Sequence, residues 1–146
     1  MESIQAGSRM WSKIRKTFRS FLRPSQKRSL GELGERAAAK FLRRKKYRVV
    51  DRNVRFQQGE IDIVAVDGKT IVFVEVKTRS STLKGEPWEA VDQAKQEKIL
   101  KAASIYLNRE GLNGQKTRFD IVSVTWNDHE RLPQIEHLED AFDETG

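Results

Sequence analysis

The sequence predicts an α/β domain with the element order αβββαβ, in which helices flank a mixed central sheet. Two stretches have apolar residues at helical spacing, and they cover residues 30–46 and 88–109. Four stretches are rich in β-branched and aromatic residues, at 47–54, 61–66, 70–77 and 117–126. The chain has 146 residues, about the size of one domain. We therefore expect a single core built around one sheet.

Charge divides the chain into three segments. Residues 1–28 hold eight Lys/Arg and one acid, whereas residues 128–146 hold seven acids and one Arg. The intervening residues 29–127 have 19 basic and 13 acidic side chains. The pattern predicts a basic folded domain between a basic arm and an acidic C-terminal tail that either docks or stays mobile. Such charge favours a polyanionic partner, either a nucleic acid or an anionic membrane surface.

The arm predicts a short basic amphipathic helix over residues 10–22, followed by a linker that starts at Pro24. A helix of this kind could contact anionic lipid peripherally. No apolar run approaches the roughly 20 residues that a membrane-spanning helix needs. The chain also lacks cysteine, which excludes disulfides and thiol catalysis and fits a reducing compartment. We expect a cytoplasmic protein.

The first helix of the domain is predicted over Leu30 to Lys46. Ser29 is a plausible N-cap, and Glu32 three residues later completes a capping box. The apolar residues expected to face the core fall on one side of this helix: Leu33, Ala37, Ala38, Phe41 and Leu42.

The strands follow in two groups. The tight-turn sequence Asp67-Gly68-Lys69 predicts that the second and third strands form an antiparallel hairpin. A second helix, predicted from Trp88 to Arg109, then crosses over to a last strand. This crossover should place the last strand parallel to its neighbour.

Three charged residues interrupt the apolar strands of the hairpin: Asp62, Glu75 and Lys77. A turn near Gly68 places Asp62 opposite residues 73–75, while Glu75 and Lys77 share one face. Two converging carboxylates would repel each other unless a cation lay between them, and Mg²⁺ or Mn²⁺ prefers such oxygen ligands. These groups are the parts that phosphodiester hydrolysis uses. The alternative is a structural ion pair, but the apolar surroundings favour a functional site.

Glu35 and Glu60 are further acidic candidates. Gly31 and Gly34 would allow the backbone near Glu35 to approach a cleft closely. From the pattern alone, however, Glu35 is best interpreted as a first-turn acid that complements the helix dipole. Glu60 lies two residues from Asp62 and could lie at the rim of the cleft, but it ranks below the others because an exposed acid at the start of a strand is ordinary.

Basic side chains supply candidate phosphate contacts. Lys95 and Lys98 interrupt the apolar stripe of the second helix, so Lys95 could reach the cleft, while Lys98 is better explained by snorkelling. Arg43 and Arg44 open a basic run that could follow a phosphate backbone, although such runs are usually solvated faces. The two histidines, in the acidic tail, are expected to have no role.

Five blocks of sequence carry a family resemblance: Gly31-x-x-x-Glu35-Arg36, Gly59-Glu60-Ile61-Asp62-Ile63-Val64-Ala65, Phe73-Val74-Glu75-Val76-Lys77-Thr78-Arg79, Lys95, and Arg118-Phe119-Asp120-Ile121-Val122. Together they closely resemble the YraN-like family of bacterial proteins over about residues 29–127. That family is similar to the archaeal Holliday-junction resolvases within the restriction-endonuclease-like PD-(D/E)xK superfamily. The leading proline of the superfamily motif is absent, because Ile61 precedes Asp62.

The resemblance implies a restriction-endonuclease-like fold and a metal-dependent endonuclease. Its catalytic residues would be Glu35, Asp62, Glu75 and Lys77, and the three carboxylates among them would bind Mg²⁺ or Mn²⁺. Independently of the resemblance, the candidate contacts to nucleic acid are Lys95, Arg79, Arg43 and Arg44. The expected substrate is DNA, perhaps branched, cut by a homodimer because symmetric cleavage needs two active sites. The alternative is an inactive DNA- or RNA-binding module with a vestigial metal site.

Overall fold

The computed structural model describes residues 29–80, 91–127 and 129–144. The predictions for residues 1–28, including the lipid-contacting helix over 10–22, lie outside these residues. Seven elements follow one another along the described chain: α1 (Leu30–Arg44), β1 (Arg48–Phe56), β2 (Gly59–Asp67), β3 (Thr70–Ser80), α2 (Gln93–Arg109), β4 (Thr117–Trp126) and β5 (Gln134–Phe142).

The strands form one five-stranded mixed sheet in the order β1-β2-β3-β4-β5. Strands β3 and β4 are parallel, and the other three pairs are antiparallel. The core of the fold is therefore the predicted αβββαβ arrangement, including the hairpin and the parallel crossover. Strand β5 is an addition to that prediction.

The two helices cover opposite faces of the sheet. Buried residues of α2, such as Ile99 and Tyr106, pack with Val64 and Phe73 in one apolar cluster. On the other face, buried residues of α1 pack in a second cluster with the strand residues that alternate with Val64 and Phe73, such as Val72. Successive side chains of a strand point to opposite faces, so the sheet separates two half-cores.

Helix α1 begins as predicted but faces the sheet differently. The Ser29 side chain accepts a hydrogen bond from the Glu32 N–H, and the Glu32 carboxylate accepts one from the Ser29 N–H, which completes the capping box. The prediction that Leu33 faces the core is wrong, because this side chain is 41% exposed. Gly34 is buried in its place, since the helix approaches the sheet too closely there for a side chain.

Helix α2 begins later than predicted. The predicted start at Trp88 lies outside the described residues, and the first helical residue is Gln93. Asp92 is the N-cap, and its side chain accepts a hydrogen bond from the Lys95 N–H at 2.8 Å. Because an aspartate at this position satisfies a free N–H of the first turn, it sets the boundary more firmly than helix propensity does.

The acidic tail docks on the domain. Strand β5 pairs antiparallel with β4, with an irregularity in the register between Phe119 and Ile121. Phe142 stacks on Phe119, with ring centroids 5.3 Å apart. Residues 134–142 are therefore part of the sheet. No helix within the described ranges is both long enough and apolar enough to span a membrane.

Candidate active site between strands β2 and β3

The candidate site lies where β2 and β3 separate. Their pairing runs from the turn to Ile63 opposite Val74 and ends there, one residue before Asp62 and Glu75. The Asp62 carboxylate reaches across the opening and accepts a hydrogen bond from the Val76 N–H at 2.8 Å. The structure thus brings Asp62 and Glu75 together as cross-strand neighbours.

Strand β2 also rotates at this point. Residues two apart in a strand normally share a face. Ile61, however, packs in the half-core of α2, whereas Ile63 packs in the half-core of α1. On the neighbouring strand, the register leaves Asn53 opposite Asp62, and Asn53 has a left-handed φ of 51°. This local twist opens the sheet to groups from both helices.

The two central carboxyl groups share one buried environment. Glu75 is only 4% exposed. Burial, followed by the negative charge of Asp62, raises the pKa of Glu75 to about 8. Burial likewise raises the pKa of Asp62, although the Val76 N–H opposes this effect. The two carboxyl groups lie close enough for the charge of Asp62 to raise the pKa of Glu75, which favours a proton or a cation between them.

Two lysines flank this pair. The Nζ atoms of Lys77 and Lys95 each lie 3.7 Å from Oε1 of Glu75. Lys95 also lies 3.9 Å from Oε1 of Glu60, whose side chain is half exposed. The other carboxylate oxygen of Glu75, Oε2, is buried and meets no hydrogen-bond donor among the described residues. Both lysine amines therefore approach the same oxygen and leave the second one open to a further cation.

Glu35 approaches the site from α1, on the face of the sheet opposite to α2. Burial and then the charge of Asp62 raise its pKa to about 7, while a hydrogen bond from Asn53 opposes the shift. Its Oε2 atom is buried without a hydrogen-bond partner in the described part of the chain. Asn53 was not among the predicted site residues. Its signal was weak, since asparagine tolerates a left-handed backbone but is common in turns.

Of the two glycines near Glu35, one brings the helix close to the sheet. A Cβ atom built on Gly34 would lie 2.8 Å from Cβ of Thr78 on β3. At Gly31 the nearest atom would be Oγ of Ser29, 3.8 Å away, which is ordinary contact. Gly34 alone therefore explains the close approach that was predicted for both.

The three arginines predicted to contact nucleic acid differ in their distance from the site carboxylates. Arg79 lies two residues beyond Lys77 on β3 and is half-buried. Arg43 and Arg44 lie in the last turn of α1, and the axial rise of a helix puts Arg43 about 12 Å from Glu35 along the axis. The structure does not bring these two arginines to the carboxylates.

No group of three or more acidic or histidine side chains within the described ranges is arranged to hold a metal ion. The three predicted carboxylates do not form a complete cage on their own. Mg²⁺, however, is commonly held by one or two carboxylates, with waters and substrate phosphates as its other ligands. The Asp62–Glu75 pair fits this mode of binding, because Oε2 of Glu75 is buried without a hydrogen-bond partner among the described residues.

A second polar cluster surrounds Asp120 on β4, which pairs with Val74 and therefore points to the opposite face of the sheet from Glu75. Its carboxylate accepts two hydrogen bonds from Arg118, both at 2.9 Å, and one from the Asp140 N–H. Nε2 of His137 lies 2.7 Å away. The expectation that the histidines have no role is incomplete, because His137 is buried in this structural network, whereas His129 lies in an exposed turn.

Comparison with known proteins places the chain in a family. A family model described as "Uncharacterised protein family UPF0102" matches residues 34–124. The chain belongs to this family. It is the YraN-like family that the sequence blocks resemble. The UPF0102 match contains all four predicted catalytic residues and ends before β5.

Relatives within UPF0102 cover most of the chain. A UPF0102 protein of Geotalea uraniireducens is 48% identical over 116 residues, which is 80% of this chain and 91% of the relative. One from Geobacter metallireducens is 48% identical over the same length and 93% of its own sequence. One from Symbiobacterium thermophilum is 53% identical over 97 residues, or 66% of this chain and 82% of that protein.

Proposed function

We propose that this UPF0102 protein is a metal-dependent nuclease that hydrolyses phosphodiester bonds in nucleic acid. The observation that carries the proposal is the Asp62–Glu75 pair, in which Glu75 is buried, its protonation is favoured, and its Oε2 meets no donor within the described ranges. A purely structural pair would be satisfied by its neighbours. A carboxylate pair poised in this way favours a cation.

Asp62 and Glu75 would hold Mg²⁺ or Mn²⁺ at this site. The bound ion would polarise a phosphate and lower the pKa of a water molecule. Lys77 lies beside Glu75 and is placed to orient the attacking water or to stabilise negative charge on the phosphate. Lys95, on the other side of the same oxygen, is placed to contact the phosphate.

Glu35 has a different role in this proposal. Its pKa of about 7 suits a group that accepts a proton near neutral pH, because general acid–base catalysis is most effective when the pKa of the group is close to the working pH. Its buried Oε2 atom has no partner among the described residues and is available to accept the proton of a water. We therefore assign Glu35 to proton transfer and the metal ion to Asp62 and Glu75.

The substrate is the finer part of the proposal. The basic charge of residues 29–127 favours a polyanion, and the resemblance to junction resolvases suggests branched DNA. Symmetric cutting of a branched substrate would need a homodimer. A cytoplasmic location belongs to the same proposal.

Calorimetric titration of Mg²⁺ and Mn²⁺ into the full chain tests the site, followed by a cleavage assay on branched and linear DNA. We expect metal binding and cleavage in the wild-type protein, and loss of both in the Asp62→Asn, Glu75→Gln double variant. Asp67→Asn is the matched control, because it removes a carboxylate from the other end of β2. Cleavage that survives the double variant would overturn the proposal. Nucleic-acid binding without metal binding or cleavage in any variant would support the alternative, an inactive binding module.

A further inference from the structure

A groove of about 330 Å³ opens beside the candidate site. One wall is the turn between β1 and β2, residues 55–60, and the other is the start of α2, at Lys95 and Lys98. Neither the predicted catalytic set nor the proposed reaction uses the turn.

The groove has a fixed shape because the turn packs directly on α2. A Cβ atom built on Gly59 would lie 2.5 Å from the backbone oxygen of Lys98, so this position leaves no room for a side chain. Backbone atoms of the two walls are therefore in contact at the base of the groove. A groove held open by backbone packing needs little reorganisation to bind a ligand.

The charge of the groove favours an anion. Three cationic side chains line it, against one carboxylate, Glu60. Glu60 is shared between Arg55, at 3.7 Å, and Lys95, at 3.9 Å. Lys98 is exposed and has no acidic partner among the described residues. The groove therefore presents uncompensated positive charge to solvent.

Other lining groups suit a nucleobase. Phe56 is half-buried at the groove, and Arg109 covers one side of its ring at 5.1 Å from the centroid. Gln57 and Gln58 are exposed at the turn, and their amides can donate and accept hydrogen bonds at a base edge. Aromatic and amide groups beside cations are the combination found in sites for single-stranded nucleic acid.

The groove is continuous with the candidate site through one side chain. Lys95 lines the groove, and its amine lies within 4 Å of both Glu60 and the central Glu75. A chain of phosphates that passes the carboxylate pair would thus enter the groove. At about 330 Å³, the groove lies at the lower end of small-ligand pockets and matches a nucleotide rather than a duplex.

We propose that this groove binds one unpaired nucleotide of a polynucleotide strand, next to the phosphate at the Asp62–Glu75 pair. The identity of that neighbouring phosphate rests on the proposed nuclease function. The phosphate of the nucleotide in the groove would lie against Lys98 and Arg55, and its base would lie over the turn. The groove would therefore select substrates with a single-stranded segment beside the cleavage point.

The test measures binding without catalysis. Fluorescence anisotropy of labelled oligothymidylate, oligouridylate and a DNA duplex is followed with the full chain in a metal chelator, over a range of salt concentrations. The variant is Lys98→Ala, and the matched control is Lys69→Ala, which removes another exposed lysine at the far end of β2. Both positions are exposed, so the melting temperatures should equal that of the wild type.

We expect Lys98→Ala to weaken single-strand binding about tenfold and to reduce its salt slope by about 0.7, the value for one phosphate contact on a single strand. Duplex binding should stay near the wild-type value, as should every measurement on Lys69→Ala. Equal losses of affinity in the two lysine variants, or equal losses of affinity for single strand and duplex, would overturn the proposal that the groove binds an unpaired nucleotide. A failed metal titration would instead overturn the nuclease and leave the groove as a strand-binding site.

Discussion

Two buried acids on neighbouring strands of this sheet have opposite electrostatic environments. Asp120 on β4 is fully buried, yet its pKa is held below the ordinary value because hydrogen bonds from His137 and Arg118 outweigh the effect of burial. Glu75 on β3 is almost as buried, at 4% exposure, and its pKa rises to about 8. At similar depth, the hydrogen-bond donors around Asp120 and the negative charge beside Glu75 give shifts of opposite direction.

The comparison separates a structural acid from a functional one. The Asp120 carboxylate has every oxygen occupied by partners from β4 and β5, which stabilises the fold. The site carboxylates are crowded against each other and left with open oxygens, an arrangement that costs stability in the absence of a ligand. An unsatisfied charged cluster beside a satisfied one in the same sheet is the stronger functional signal.

The largest expected effect is on the structural side of this comparison. Asp120→Asn should lower the free energy of unfolding by about 3–5 kcal/mol, because Arg118 and His137 would stay buried without their charged partner. Urea denaturation at neutral pH measures the change. Asp67→Asn provides the control, since it removes a more exposed partner of the same arginine and should cost about 1 kcal/mol or less. Equal losses in the two variants would mean that Asp120 is no more important than a surface acid.

The two acids also predict opposite pH dependences. A carboxyl group whose pKa rises on folding takes up a proton, so the contribution of Glu75 to stability falls as pH rises from its ordinary value of 4.5 to about 8. Asp120, with a lowered pKa, stabilises the fold above about 3.8 and loses that contribution as pH falls further. Above pH 5, the slope therefore comes from groups whose pKa is raised, which include Glu75 and Glu35 at the site and Asp51 outside it.

Without divalent metal, the wild-type protein should lose stability between about pH 5 and pH 8, at up to about 1.4 kcal/mol per pH unit for one proton. Glu75→Gln should reduce this slope, most clearly between pH 7 and pH 8, because Glu35 and Asp51 titrate at lower pH. Urea titrations at several pH values measure the slope. A slope that is unchanged in Glu75→Gln would show that the pKa of Glu75 is not raised.

A smaller effect is expected where α1 brings Glu35 to the site. Gly34→Ala should destabilise the protein by about 1–3 kcal/mol, since the new methyl group would collide with Thr78. Gly31→Ala, on the same helix but with only an ordinary contact to Ser29, should stabilise it by up to about 1 kcal/mol through helix propensity. Thermal and urea unfolding of the pair measure both signs. If both variants gained stability, the contact of α1 with β3 would not be close.

Most of the fold was predictable because its signals are local. The capping box of α1 and the turn at Gly68 each specify structure within a few residues, and the structure has both. The Asp62–Glu75 contact followed from the same turn, since the hairpin register alone brings them together.

What escaped prediction depends on contacts between distant residues. Strand β5 lies at the edge of the sheet and is rich in charge, so only some of its residues show the alternation of a buried strand. The rotation of β2 at Asp62 depends on its packing against both helices. His137 meets Lys45, 92 residues away, and no local pattern indicates such a pair.

Strand β5 has a practical consequence for anyone shortening this protein. The matched family region ends at residue 124, and a truncated version designed on that boundary would lack residues 134–142. Such a protein would keep every candidate catalytic residue but would remove His137 and the Asp140 N–H from the buried Asp120. If that fragment were inactive, the cause would be a destabilised fold and not the chemistry of the site. Activity should therefore be measured on protein that extends at least to Phe142.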